Sequence, residues 1–362
     1  MTRLATATGR TRARDIWQSE LLSLATLILL VVGVTLLASL GSAVLRNVLV
    51  NMLITLILVV GLYVFAGNSG IVSFGHIGFM AIGAYTAGIV RIPRPTKVAL
   101  LQLPDVLERA HFSALQATLL GGGLAAAVAA VVALPIVRLG GLTAGLATFA
   151  VLNIINVVAA NLDQFTGGST GMAGVPTTTT VTSALLWSLL AITIAWLFQQ
   201  TRLCLRIRAS REDEPAARAL GIRIVPDRAA AFVLSAFICG LAGGLYAQLA
   251  GSFGPDAFFL PTTFTVLAML VVGGRYSLSG AVIGTLFVAA VAEGLRRIEG
   301  GVDIGFVHVP ARPGLQEVGL AVALLLTLTL RPRGVTGGRE VSLTDLRRLR
   351  SKRSRAHVEE AE

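Results

Sequence analysis

The feature that most constrains this chain is the spacing of its apolar residues. They fall in blocks of about 20, the length a helix needs to cross roughly 30 Å of hydrocarbon at about 1.5 Å per residue. The blocks are separated by short polar stretches. Only 14% of the 362 residues are Asp, Glu, Lys or Arg and 54% are hydrophobic, whereas a soluble domain carries roughly 25% charged residues. A chain so poor in charge cannot keep a water-facing surface of this size wet. The pattern predicts an all-α, polytopic membrane helix bundle.

The blocks predict spans at Leu21–Leu45, about 48–66, 71–90, 113–137, 142–162, 185–198, 229–250 and 315–330, with a longer block at 263–295. That last block is interrupted by Gly273, Gly274, Ser277, Ser279 and Gly280, so it reads either as a re-entrant hairpin or as two short spans. The total is about 8–10 transmembrane segments, some of them broken or re-entrant. The apolar run at 21–45 exceeds the roughly 7–15 residues of a cleaved leader, so it reads as an uncleaved first helix. Residues 96–112 read as a short amphipathic or extracytoplasmic segment.

Charge sets the expected orientation. There are 30 Lys and Arg against 19 Asp and Glu, a net charge of +11. Four arginines lie in the head, seven in the 201–228 loop, and nine Lys and Arg after residue 330, whereas 163–180 and 251–262 have none. Basic residues between apolar blocks are the signature of cytoplasmic loops rather than of nucleic-acid binding. The expected organisation is a basic cytoplasmic head at 1–20, a transmembrane domain at 21–330 with a cytoplasmic loop at 201–228, and a basic cytoplasmic tail at 331–362. Both termini inside requires an even number of crossings. Membrane lipid is the expected surrounding, and no nucleic-acid partner is expected.

Two segments carry chemistry. The first, Gly67–Phe79, sets Asn68, Ser73 and His76 at membrane depth among glycines. Polar groups there are costly unless they are paired or face a wet cavity, and broken helices in transporters free backbone groups to meet a substrate. Gly67, Asn68, Ser73, Phe74, Gly75 and His76 are therefore candidate pathway residues; the competing reading is a glycine-rich turn around a satisfied histidine. The second segment is Ala209–Gly221. Glu212 to Ala219 reads as a short helix with acidic residues leading, Pro215 in the first turn and Gly221 as its stop. The four histidines form no metal-ligand cluster, Cys204 and Cys239 suggest no disulfide or zinc site, and no phosphate-binding G-x-x-x-x-G-K-S/T run is present. No catalytic residue, metal or bound cofactor is expected.

At this point the sequence resembles a known family, the permeases of branched-chain amino-acid ABC importers of the LivM/LivH type. The resemblance rests on G-N-S-G-I-V-S-F-G-H-I-G-F-M-A-I-G-A-Y at 67–85, T-G-G-S-T-G-M-A-G-V-P at 166–176, R-A-S-R-E-D-E-P-A-A-R-A-L-G-I at 208–222, V-V-G-G-R-Y-S-L-S-G-A-V-I-G at 271–284 and R-P-R-G at 331–334. It covers roughly residues 45–335 and favours the LivM-like member of the pair. It implies a permease domain at 21–330 in the bacterial inner membrane and transport of branched-chain amino acids or related amino-acid and amide solutes. The implied partners are a second, LivH-like permease, two cytoplasmic ATPase subunits that bind the ATP, and an extracytoplasmic solute-binding protein.

It also implies that the 201–228 loop couples to the ATPase, with Ala216, Ala217, Leu220 and Gly221 transmitting the stroke and Arg211, Glu212 and Glu214 setting the docking. The chain departs from the family pattern in two places. Pro215 follows Glu214 inside the coupling motif, and Arg275-Tyr276 stands where the family often has Leu-Gly. The alternatives are an ion-coupled secondary carrier, which needs buried acids (the nearest are Asp163, Asp256 and Glu293, all interfacial by pattern), and a membrane-embedded enzyme.

Overall fold

The computed structural model describes residues 2–100, 104–299, 302–304, 307–309, 314–331, 334–338 and 340. Most of the predicted tail, including Pro332 and Arg333 of the R-P-R-G run, lies outside the described residues. Helix α1 (Thr2–Ser39) is continuous, so the predicted head is the first half of a helix about 57 Å long. The run expected as one span over 21–45 is divided. Gly41 and Ser42 form a turn, and Ser42 Oγ accepts from Leu45 N at 3.4 Å to cap α2 (Ala43–Leu62). Val44 and Leu45 thus open the second span, because a capping serine outweighs apolarity in setting a helix start.

A π-helical turn (Tyr63–Gly67) follows α2, and an extended stretch leads to α3 (His76–Arg91). Two short helices, α4 (Arg94–Leu100) and α5 (Asp105–Arg109), fill the predicted 96–112 segment. Then come α6 (Ala114–Ile136), α7 (Gly141–Asn161), the short α8 (Asp163–Thr166), α9 (Val181–Gln199), α10 (Arg202–Glu212), α11 (Glu214–Ala219), α12 (Ile224–Ala250), α13 (Leu260–Gly273), α14 (Leu278–Glu299) and α15 (Leu315–Leu330). A small hairpin of β1 (Val302–Ile304) and β2 (Val307–Val309), pairing Val302 with Val309, joins α14 to α15 and was not foreseen.

Among the described residues eight helices are long and apolar enough to cross a membrane; α3 and α15 are shorter. Loops alternate between the two ends of the bundle. At one end Gly67 lies by Arg275, Gly75 by Thr148, and Gly334 by Gly274. At the other, Met172 pairs with Phe253, Asn156 donates to Pro255 O, Arg91 donates to Phe112 O, and Gly314 N donates to Glu299. Counting α3 and α15, the described residues make ten passes between the ends. The interrupted 263–295 block is two passes, α13 and α14, that meet at Gly274–Ser277.

The core is α3 packed between α6 and α12. α3 is buried on nearly every side, as expected of a helix that is apolar all round. Glycines set the spacing: a Cβ on Gly83 would lie 2.1 Å from Gly240 O, and one on Gly243 would lie 1.9 Å from Met80 O. Small residues that let helix backbones touch are the usual means of association in lipid. Outside this core, α6, α7 and α9 expose Leu124, Val131, Ile154, Val157 and Leu186, a surface suited to lipid or to another apolar helix.

Candidate functional site

The predicted break is present, and its polar groups turn inward. Just after the π turn, Asn68 Nδ2 donates back to Val64 O at 3.0 Å and to Tyr63 O at 3.4 Å. This satisfies carbonyls that the widened turn would leave open. Asn68 Oδ1 accepts from Arg208 Nε at 2.8 Å and from Cys204 Sγ at 3.3 Å. Gly67 O accepts from Arg211 Nη1 at 2.9 Å. The extended stretch is held by α7, where Thr148 Oγ1 accepts from Phe74 N at 3.1 Å. A Cβ on Gly75 would lie 2.7 Å from Thr148 O, so the backbone can approach α7 this closely only with glycine.

His76 sits at the start of α3 with Nδ1 2.7 Å from Ser73 Oγ. Its ring is stacked on Phe65 and edge-on to Phe79 and Phe232, and Nε2 has no partner among the described residues. Of the six predicted pathway residues, Gly67, Asn68, Ser73, Gly75 and His76 are buried in the chain, and Phe74 is half-buried against Phe264. Val72, which the sequence did not single out, is exposed.

The predicted helix over 212–219 is shorter. Glu212 ends α10, and Asp213 is extended (φ −151°, ψ 105°) and caps α11 by accepting from Ala216 N at 2.9 Å. The Asp cap wins because its short carboxylate satisfies an amide at the next helix start. α11 closes as a Schellman motif. Ile222 N donates to Ala217 O and Gly221 N to Arg218 O, with Gly221 at φ +80°.

α11 stands on one face. Ala217 is 3% exposed, and Glu214 binds Arg218 at 2.6 Å and the buried Arg228 at 2.9 Å. Burial raises the pKa of the Glu214 carboxyl; the hydrogen bond from Arg218 and the positive charge of Arg228 outweigh it and hold that pKa below the usual range. Pro215, Ala216, Ala219 and Leu220 face outward, Leu220 being 82% exposed. Arg211 pairs with Glu212 at 2.6 Å. The predicted coupling residues therefore divide: Ala217, Glu214 and Arg211 anchor the segment, Gly221 ends it, and Glu212, Ala216 and Leu220 are presented outward.

α10 joins these two regions. Besides Asn68, Arg208 donates to Tyr63 Oη at 3.2 Å, and Gln199 Nε2 donates to the same hydroxyl. Gln199 Nε2 also lies 3.1 Å from Glu340 Oε1, and Glu340 accepts from Leu278 N and Ser279 N at the start of α14. Tyr63, Gln199, Arg208 and Glu340 were not picked out by sequence. The signal available was a tyrosine and a glutamine at the ends of apolar runs, each needing a partner.

Among the described residues no group of three or more His, Cys, Asp and Glu could hold a metal. Asp163 and Asp256 are exposed, and Glu293 is paired with Arg296 and Arg297.

Residues 44–328 match the family described as branched-chain amino acid transport system / permease component. The chain belongs to this family. Among curated relatives, the high-affinity branched-chain amino acid transport system permease protein LivM of Escherichia coli K12 is 27% identical over 283 residues. That match covers 67% of this chain and 62% of the relative. The LivM of Salmonella typhimurium matches to the same extent. A probable branched-chain amino acid transport permease LivH of Methanocaldococcus jannaschii is 27% identical over 188 residues, covering 50% of this chain and 53% of that protein. The chain thus spans about 62% of the length of the LivM relatives. The family match contains the helix break, α10, α11 and the α13–α14 turn, so these are features of a permease domain.

Proposed function

We propose that this chain is the membrane-spanning permease subunit of an ATP-driven importer in a bacterial inner membrane, moving branched-chain amino acids or related small solutes inward. The observation that carries the reading is α11. It is a capped, six-residue helix seated on buried Ala217 and Arg228, with small and apolar residues turned to water. A rigid knob of this kind, at the end of the bundle that carries the arginine-rich loop, suits docking into a cleft on a soluble motor. The chain itself carries no phosphate-binding loop motif. ATP is bound by two partner ATPases, a second permease completes the pathway, and an extracytoplasmic binding protein delivers solute. Val72 and Phe74 meet the pathway, and the polar groups of Asn68, Ser73 and His76 hold the shape of the break behind them.

The end with the break, α10–α11 and residue 340 is the cytoplasmic end, by the excess of arginine in the 201–228 loop. Reporter fusions after Arg208 are expected to read cytoplasmic, and fusions at Gly168 or Gly254 external. A cytoplasmic readout at Gly168 would invert the assignment. The function is tested with the genes adjoining this one. Co-expressed with an adjacent ATPase pair and binding protein, the chain should support radiolabelled leucine uptake that needs ATP and is insensitive to a protonophore. Uptake that survives deletion of the ATPases would exclude an ATP-driven importer.

A further inference from the structure

α10 is more than a spacer before the docking helix. A single residue, Asp213, separates it from α11, and its arginines reach two other parts of the bundle. Arg208 uses its planar fork to hold Asn68 Oδ1 through Nε and Tyr63 Oη through a terminal nitrogen. Arg211 donates to Gly67 O and lies 4.5 Å from the centre of the Tyr276 ring, in the α13–α14 turn. Arg275 lies on the same ring at 4.5 Å. A side chain on Gly70 would meet the stem of Arg211 at 2.6 Å, so the break is moulded to α10. Glu340 closes the set from the far side, tying Gln199 to the start of α14, while Val335 N and Thr336 N donate to Val272 O and Gly273 O. Buried polar networks in which every member is satisfied are rigid, and an arginine that bonds bidentately is not replaced by a lysine.

We propose that Arg208 and Arg211 are positioning residues that carry displacement of α11 to the helix break at Gly67–Phe74, with Tyr276 and Glu340 fastening the same junction to the α13–α14 hairpin. The proposal deepens the importer reading and rests on it. The break is the one place where the α2–α3 line lacks continuous helix, so a pull on Gly67 O and Asn68 changes the path of Val72 and Phe74 without deforming the glycine-packed core. Tyr276 gives Arg211 a ring to lie on and so fastens the link to the α13–α14 turn.

The test uses the full complex with its ATPases in lipid nanodiscs and a Val72→Cys reporter, Val72 being 41% exposed and both native cysteines buried. The rate of labelling by a charged maleimide is measured with and without a non-hydrolysable ATP analogue. In the parent complex the analogue is expected to change the rate by about tenfold, within the usual range for coupled sites. Arg208→Gln and, independently, Tyr63→Phe should abolish that change while ATPase co-purification and thermal stability are retained, and Arg208→Lys should restore only part of it. A role in stability alone predicts the reverse: lower stability with the nucleotide response intact. An intact response in Arg208→Gln and Tyr63→Phe, or no response in the parent, overturns the relay while leaving the importer reading standing. Failure of the ATPase to co-purify with the parent would remove the importer reading, and the relay with it.

Discussion

Replacing Gly243 with valine is expected to leave little folded protein in the membrane. A Cβ at this position of α12 would lie 1.9 Å from Met80 O and 2.8 Å from Ala84 N, both backbone atoms of α3. No side chain can rotate away to make room; α3 itself must move, and α3 is enclosed by α6 and α12. Overpacking of ordinary cores costs about 1–3 kcal/mol, and a backbone clash on the central helix belongs above that range. Gly243→Ala already places the offending atom and should lower the melting temperature in detergent sharply. The control is Gly123→Ala on α6, where a Cβ meets nothing within 4 Å. It should be neutral or slightly stabilising, since alanine favours a helix over glycine by about 1 kcal/mol. Equal melting temperatures for Gly243→Ala and Gly123→Ala would mean that the α3–α12 contact is not the constraint described.

The same contrast shows what the sequence can and cannot carry. Glycines were legible as packing residues in general, but nothing local distinguishes Gly243, which touches a backbone, from Gly123, which faces outward; the difference lies in a partner helix distant in sequence. The break at 67–76 was legible because glycine, asparagine and serine interrupt an apolar run, and that interruption is a cost a membrane chain does not carry idly. Its inward-facing geometry was not legible, because Asn68 finds its partners on Arg208 and Cys204, about 140 residues away. The first span boundary was misplaced because hydropathy averages over Ser42, whose effect is a single capping bond. The faces of α11 were hidden for a simpler reason: six residues make fewer than two turns, too few for a period to show which alanine is buried. Glu340 gave no signal, since an acidic residue among the many charges of a polar tail reads as ordinary surface.

The division of α11 into a seat and an outward face leads to the second large effect. Leu220→Glu is expected to abolish ATPase co-purification and uptake while the permease remains folded. Leu220 is 82% exposed and makes no part of the core, so its replacement removes nothing from the chain's own stability. A leucine this exposed at the tip of a rigid helix gains most by burial in a partner. Central residues of such contacts cost about 2–4 kcal/mol when lost, a drop of roughly 30-fold or more in affinity. Ala216→Trp, on the same outward side, should act similarly by bulk.

Ala217→Trp is a different experiment. Ala217 is 3% exposed against the body of the loop, so tryptophan should unseat α11 itself and lower its protection from hydrogen exchange. Gly221→Val separates the two effects again. A side chain there meets nothing within 4 Å, but φ is +80°, so the cost is backbone strain of about 1–3 kcal/mol and the Schellman end should fray. Leu220→Glu should therefore keep the exchange pattern of α11 and lose the ATPase, whereas Gly221→Val should lose both in part. Full ATPase recovery and full uptake with Leu220→Glu, at matched expression, would overturn the proposed docking of an ATPase at α11.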